Sequence, residues 1–174
     1  MTIKIPLQWM QPVTMTRIVA HWSAGAYRAS DLDKEHYHLI VEGTGLLVKG
    51  DHDIADNVNT GDDDYAAHTR GCNTRAIGVS LACMAGAIES PFNPGKFPMT
   101  AVQWASAMDV IAQLATFYKI PVTDKTILSH AEVQTNLGTK QAGKWDFTRL
   151  AFDPSVKGAK ACGDKMRADV KARM

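Results

Sequence analysis

Apolar and β-branched residues dominate residues 14–21, a run that ends in His21 and gives way to the small-residue turn Ser23-Ala24-Gly25. Such a run predicts a buried strand. Ser30 is a candidate N-cap for a helical turn over residues 30–33. Residues 36–41, His-Tyr-His-Leu-Ile-Val, predict a second strand; Glu42-Gly43-Thr44-Gly45 supplies a turn and Leu46-Leu47-Val48 the return of a hairpin. Alternation puts His36, His38 and Ile40 on one face of that strand and Tyr37, Leu39 and Val41 on the other. Residues 75–84 are apolar with few charges and predict a central strand covered on both faces. Residues 100–119 form the clearest helix. Thr100 with Gln103 makes a capping box, Trp104, Met108, Ile111, Ala115 and Tyr118 recur at helical spacing, and Pro121 stops it. A short strand over residues 126–130 ends in His130, and a glycine-containing loop is expected after it. Strands separated by a long helix predict an α/β fold: a single domain, with a central mixed β-sheet flanked by α-helices.

The breakers divide the rest. Residues 1–14 contain Pro6 and Pro12 and read as an irregular N-terminal arm. Residues 51–64 are polar and acid-rich, a surface loop without the spacing of a calcium loop. Residues 65–73 form a polar connection, and Pro91, Pro94 and Pro98 stiffen another loop. The domain proper is expected over residues 15–154, followed by a basic C-terminal tail, 155–174, that forms a last helix.

Composition narrows the classes. At 174 residues with 45% hydrophobic content, one domain with a real core is the simplest organisation. A net charge of +1 offers no global field for nucleic acid. The charge is uneven, though: in the tail Lys157, Lys160, Lys165, Arg167, Lys171 and Arg173 face only Asp164 and Asp169. Cys72, Cys83 and Cys162 are odd in number and lack CxxC spacing, which argues against a disulfide framework and a cysteine-rich metal module. No signal-peptide h-region and no transmembrane segment is evident, so synthesis in the cytoplasm without a signal peptide is expected.

His21 and His130 both end apolar runs, and α/β sheets place ligands at strand ends. Lys144 and Asp146 flank Trp145 in the loop region after His130. Metal-assisted hydrolysis needs imidazole and carboxylate ligands with a cation near the developing negative charge. This pattern points to one Zn2+ held at strand ends by His21, His130 and Asp146, with Lys144 beside it. Ordinary hydrogen-bonded histidines are the bland alternative, and His36 with His38 is a second candidate ligand pair. His-Glu-x-x-His is absent, which disfavours the common zinc peptidase arrangement.

Six motifs in order now carry a resemblance: His21-Trp22-Ser23-Ala24-Gly25, Tyr37-His38-Leu39-Ile40-Val41, His68-Thr69-Arg70-Gly71-Cys72-Asn73, Ala76-Ile77-Gly78-Val79-Ser80-Leu81, His130-Ala131-Glu132-Val133 and Gly143-Lys144-Trp145-Asp146. From about residue 17 to 154 the chain resembles type-2 N-acetylmuramoyl-L-alanine amidases, a family that includes phage endolysins and peptidoglycan recognition proteins. The resemblance implies one Zn2+ per chain on His21, His130 and Asp146, and hydrolysis of the amide between N-acetylmuramic acid and L-alanine in peptidoglycan. It implies catalytic roles for Tyr37 and Lys144, and substrate contacts at His68, Thr69 and Asn73. Two departures stand out. The family's Asp-Pro-Gly is Asp146-Phe147-Thr148 here, so the turn after the third ligand is expected to differ. Ser80 stands where some members carry a glutamate, which shifts the acid–base role towards Tyr37.

The expected function is that of a single-domain phage or prophage endolysin for host cell lysis, acting on the cell wall as a monomer. The alternatives are a peptidoglycan-binding recognition module and a wall-fragment recycling amidase. For the basic tail two readings stand: contact with an anionic envelope surface, or a structural helix whose apolar side (Val156, Ala159, Met166, Val170) packs on the sheet.

Overall fold

In the computed structural model, which describes residues 3–174, β1 (Arg17–Trp22), β2 (Leu39–Val41), β3 (Leu47–Lys49), β4 (Ala76–Leu81) and β5 (Ile127–Ser129) form one sheet. Its order is β3-β2-β4-β1-β5. The hairpin pair β2–β3 is antiparallel; β2–β4, β4–β1 and β1–β5 are parallel, so the sheet is mixed. The apolar run at 75–84 is the middle strand, and all six residues of β4 are buried.

The two faces of the sheet differ in chemistry. Parallel register aligns Ile18 with Ile77 and Ala20 with Val79 on one face, and His21 with Ser80 on the other. Over the apolar face lie α2 (Ala101–Phe117) and α4 (Ala159–Lys171). Ile18, Ile77, Met108, Ile111 and Met166 meet there in the main core, each worth about 1.5–3 kcal/mol when fully buried. The opposite face is covered by α3 (His130–Leu137) and the segment through residues 66–73, with only a small apolar cluster of Val19, Cys72 and Val133. That face carries the histidines.

Local expectations fare unevenly. Thr100 and Gln103 form their capping box at the start of α2. Ser30 caps α1 (Asp31–His36) through a reciprocal box with Asp33. That helix runs through His36, so the strand expected from residue 36 begins only at Leu39 and the alternation does not reach His36. The loop expected after His130 is a helix, because Ser129 caps it and Glu132 reaches back to the Ser129 N–H at 3.0 Å. Within 51–64, Ile54 and Asn57 are buried and residues 56–58 form a 3-10 turn, so this acid-rich stretch is anchored to the body.

The first two residues of the N-terminal arm lie outside the described residues. The rest is irregular apart from a 3-10 turn at Leu7–Trp9, and it inserts Ile5 and Met10 into the core. The last segment forms α4, which packs against α2, α3 and β5. Trp104 Nε1–H donates to Asp169 at 2.7 Å, joining α2 to α4. All three cysteines are buried thiols. Among the described residues no helix is long and apolar enough to cross a membrane.

Candidate active site

His21 sits near the carboxyl end of β1, His130 is the first residue of α3 directly after β5, and Asp146 lies in the loop beyond α3. β1 and β5 are adjacent parallel strands, so their ends bring the two imidazoles to a ring separation of 4.7 Å. Asp146 Oδ2 lies 3.2 Å from His21 Nδ1 and 3.4 Å from His130 Nδ1. All three side chains are buried, and their candidate ligand atoms lie within 4.8 Å of one another.

Neighbouring groups decide which ring nitrogen faces the carboxylate. Gln141 Nε2 donates to the Arg70 and Thr139 carbonyls, which turns its Oε1 to accept from His130 Nε2–H at 2.9 Å. Behind His21, His68 Nε2–H donates to the Ala76 carbonyl, and its Nδ1 accepts from the Thr69 hydroxyl at 2.8 Å. Thr69 Oγ1 is then free to accept from His21 Nε2–H at 3.3 Å. In the neutral form both Nδ1 lone pairs therefore point at a carboxylate oxygen. That arrangement is repulsive alone and becomes favourable with a cation between the three atoms, so the donor set fits a metal ion.

Burial pushes the His21 imidazole down to about 4, with the neighbouring His130 lowering it and the Asp146 hydrogen bond only partly offsetting this. It is neutral at pH 7, as a ligand must be. For Asp146, burial alone would raise the carboxyl, but the adjacent His130 and His21 rings outweigh it and hold the group below its ordinary value. His68 is held well below the ordinary histidine range by burial and by the adjacent His21 and His38.

The cluster opens into a cavity of about 390 Å³ lined by Trp22, Tyr37, His68, His130, Lys144 and Trp145, among others. Tyr37 follows α1, and its ring lies 5.1 Å from that of His21. Burial, then the Asp146 and Asp33 carboxylates, push its phenol well above the ordinary range, so it is protonated at neutral pH and available as a donor. Lys144 is exposed on the rim. Trp22 and Trp145 pack edge to face at 4.8 Å, so they wall the cavity and pack on one another.

The profile of the N-acetylmuramoyl-L-alanine amidase family matches residues 10–146. The chain belongs to that family. Comparison with curated protein sequences gives no match. Among solved structures, this amidase-family chain is similar to the N-acetylmuramoyl-L-alanine amidase LysC from Clostridium intestinale URNW, at 15% identity and TM-score 0.53, over 92% of this chain and 87% of that one. It is also similar to a point mutant of PlyL, at 17% identity and TM-score 0.51, over 97% and 94% of the two chains.

His130, Asp146, Tyr37 and Lys144 line one cavity, and His21 lies buried beside His130 and Asp146. His68 meets that cavity at its edge, whereas Thr69 is buried behind His21, and Asn73 Oδ1 accepts from the Thr69 N–H at 2.7 Å. His36 and His38 do not form a ligand pair. His36 Nδ1 bonds the Leu32 carbonyl within α1, and His38 bonds Asn57 through Nε2 while its Nδ1 accepts from Gly78 N–H. Gly78 is required here, since a Cβ would lie 2.6 Å from the His68 ring. Gln141 escaped the sequence reading. Its isolated position in a polar loop carries no signal, and only its contact with His130 reveals it.

Proposed function

We propose that the protein is a zinc-dependent N-acetylmuramoyl-L-alanine amidase that cleaves peptidoglycan between N-acetylmuramic acid and L-alanine. The observation that carries this is the convergence of His21 Nδ1, His130 Nδ1 and Asp146 Oδ2 beside a cavity rimmed by Tyr37 and Lys144, in a chain of the amidase family. Ligand atoms 2.0–2.1 Å from a tetrahedral zinc stand about 3.3–3.4 Å apart. The two separations to Asp146 Oδ2, 3.2 and 3.4 Å, match that spacing, and all the candidate ligand atoms lie within 4.8 Å of one another. Zinc held there supplies Lewis acidity, which makes water acidic near neutral pH and polarises an amide carbonyl.

The chain's own groups divide the remaining work. In the hydrolysis, water oxygen adds to the lactyl carbonyl carbon, the carbon–nitrogen bond breaks, and a proton must reach the departing alanine nitrogen. Tyr37, held protonated, donates a hydrogen bond to the reacting oxygen or nitrogen. Lys144 offsets the negative charge that develops on the carbonyl oxygen. His68 contacts substrate from the cavity edge, and Thr69 and Asn73 support it from behind. Trp22 and Trp145 shield the site from bulk water.

The LysCS structure from the same Clostridium, at TM-score 0.53, is described as an endolysine amidase. On that likeness we propose lysis of a host wall, by a phage or prophage product, as the biological role. We propose that it acts as a monomer, since the candidate ligands, Tyr37 and Lys144 belong to one cavity region of one chain. Contact of the C-terminal segment with an anionic envelope rests on a narrow basis. Lys160, Lys165, Arg167 and Arg173 are ion-paired, and Lys157 and Lys171 are the bases without an ion pair among the described residues.

Digestion of purified peptidoglycan tests the activity. The expected products are glycan strands freed of peptide and new L-alanine amino termini. A chelator abolishes their release and zinc restores it. New reducing sugar ends without free L-alanine termini would overturn the reading.

A further inference from the structure

We infer that Arg167 is a positioning residue for the metal site, holding His130 through Glu132; the inference rests on the reading of His130 as a metal ligand. The guanidinium comes from α4, on the far side of β5 from the cavity, and it is buried. It grips the buried Glu132 carboxylate as a fork, Nη1 to Oε2 at 3.0 Å and Nη2 to Oε1 at 2.8 Å. Nη1 also donates to the Ile127 carbonyl at 3.1 Å, and Nη2 to Asp164 at 2.8 Å.

These bonds bracket His130. Ile127 opens β5, three residues before the ligand, and Glu132 follows it by two. Glu132 Oε2 in turn accepts from the Ser129 N–H at 3.0 Å, which fixes the residue preceding His130 at the junction of strand and helix. A ligand carried on the first residue of a helix takes its direction from that junction. Arg167 is the group that ties both sides of it to a third element.

Gly163 gives independent support. It stands inside α4, where glycine is disfavoured for its lost chain entropy. A Cβ at that position would collide with the Glu132 carboxylate. The helix therefore accepts a poor helix former where it lets Glu132 approach Arg167. The buried fork has no part in the lining of the cavity itself.

Arg167→Lys keeps the charge and removes the fork, because an ammonium cannot span both carboxylate oxygens in one plane. Zinc affinity is measured by competition with a chromogenic chelator, and melting temperature is recorded with and without zinc. Val170→Ala, a core truncation on the same helix that leaves the Arg167–Glu132 hydrogen bonds in place, is the control. Loss of support for the ligand predicts zinc binding weaker by about tenfold or more in Arg167→Lys. The rise in melting temperature on adding zinc then shrinks. Val170→Ala is expected to melt earlier both with and without zinc while binding the ion as wild type does. A purely structural Arg167 would behave like Val170, and wild-type zinc affinity in Arg167→Lys overturns the inference. The double variant Glu132→Gln with Arg167→Met removes both charges together, so it leaves no lone buried charge should the single variant fail to fold. It is expected to show the same affinity loss, and wild-type affinity there is equally fatal. Zinc stoichiometry of the unmodified protein reports separately on the metal reading, which fails if no zinc is bound.

Discussion

The Ala131 N–H donates to the carbonyl of Asp146 at 2.7 Å, so the residue after one candidate ligand holds the backbone of another. The approach of His130 to Asp146 is thus built into the main chain and survives changes in either side chain. Asp146→Asn keeps that bond and removes the charge. Metal analysis by mass spectrometry is expected to find well under one zinc per chain in this variant, with the far-ultraviolet circular dichroism of wild type. Retention of one zinc would remove Asp146 from the ligand set.

Gln141 offers a second handle on the metal. Its amide orients His130 through Nε2 and pins the Arg70 carbonyl, so Gln141→Ala frees the ring without touching a ligand. Loss of such an outer partner typically costs about 10–100-fold in metal affinity. Chelator competition should show a loss in that range, and an unchanged dissociation constant would leave the residue a loop support only.

For turnover, Tyr37→Phe and Lys144→Ala are expected to lower kcat by about 10²–10³, the range for one donor to a developing oxyanion. Zinc content should stay near one per chain, since neither is a proposed ligand. If the principal change is instead a higher KM at unaltered kcat, the residue binds substrate in its ground state and has no part in the chemical step.

Acid stability follows from the buried imidazoles that are not proposed ligands. Burial holds His38 at about 4 against an ordinary 6.5, with the Asn57 hydrogen bond only partly offsetting it. The unfolded chain takes up a proton near pH 6.5 that the folded one refuses until about 4. Stability is therefore fully present above pH 6.5 and falls as pH drops towards 4, by on the order of 3 kcal/mol for this residue. His68, also held low, adds to the same slope. Urea unfolding of the metal-free protein across this window should show the decline, and His38→Gln should flatten it. A pH-independent midpoint would mean that these rings titrate normally.

Truncation at Pro154 separates the two readings of the C-terminal segment. It removes Cys162, Met166 and Val170 from the core, takes Arg167 from Glu132 and uncovers the apolar side of the sheet. The truncated chain is expected to lose its cooperative melting transition. A folded, active truncation that binds anionic vesicles less well would favour the envelope reading instead.

By itself the sequence determined the strands and the long helix, and it named His21, Tyr37, His130, Lys144 and Asp146 as candidates. Apolar runs at residues 14–21 and 75–84 are long enough to demand burial, and Thr100 with Gln103 writes its own helix start. Such signals are local, because side-chain period and capping chemistry act within a few residues. What lay beyond reach depended on distant partners. His36 reads as strand by alternation, yet the Ser30–Asp33 cap drives a helix through it. The Arg167–Glu132 fork joins residues 35 positions apart, and Gln141 matters only because the loop folds it onto His130. The ring nitrogens that face Asp146 were settled by Thr69, His68 and Gln141, whose hydrogen bonds exist only once β1 and β5 lie side by side. Sequence names the donor atoms; parallel register across more than a hundred residues aims their lone pairs at one point.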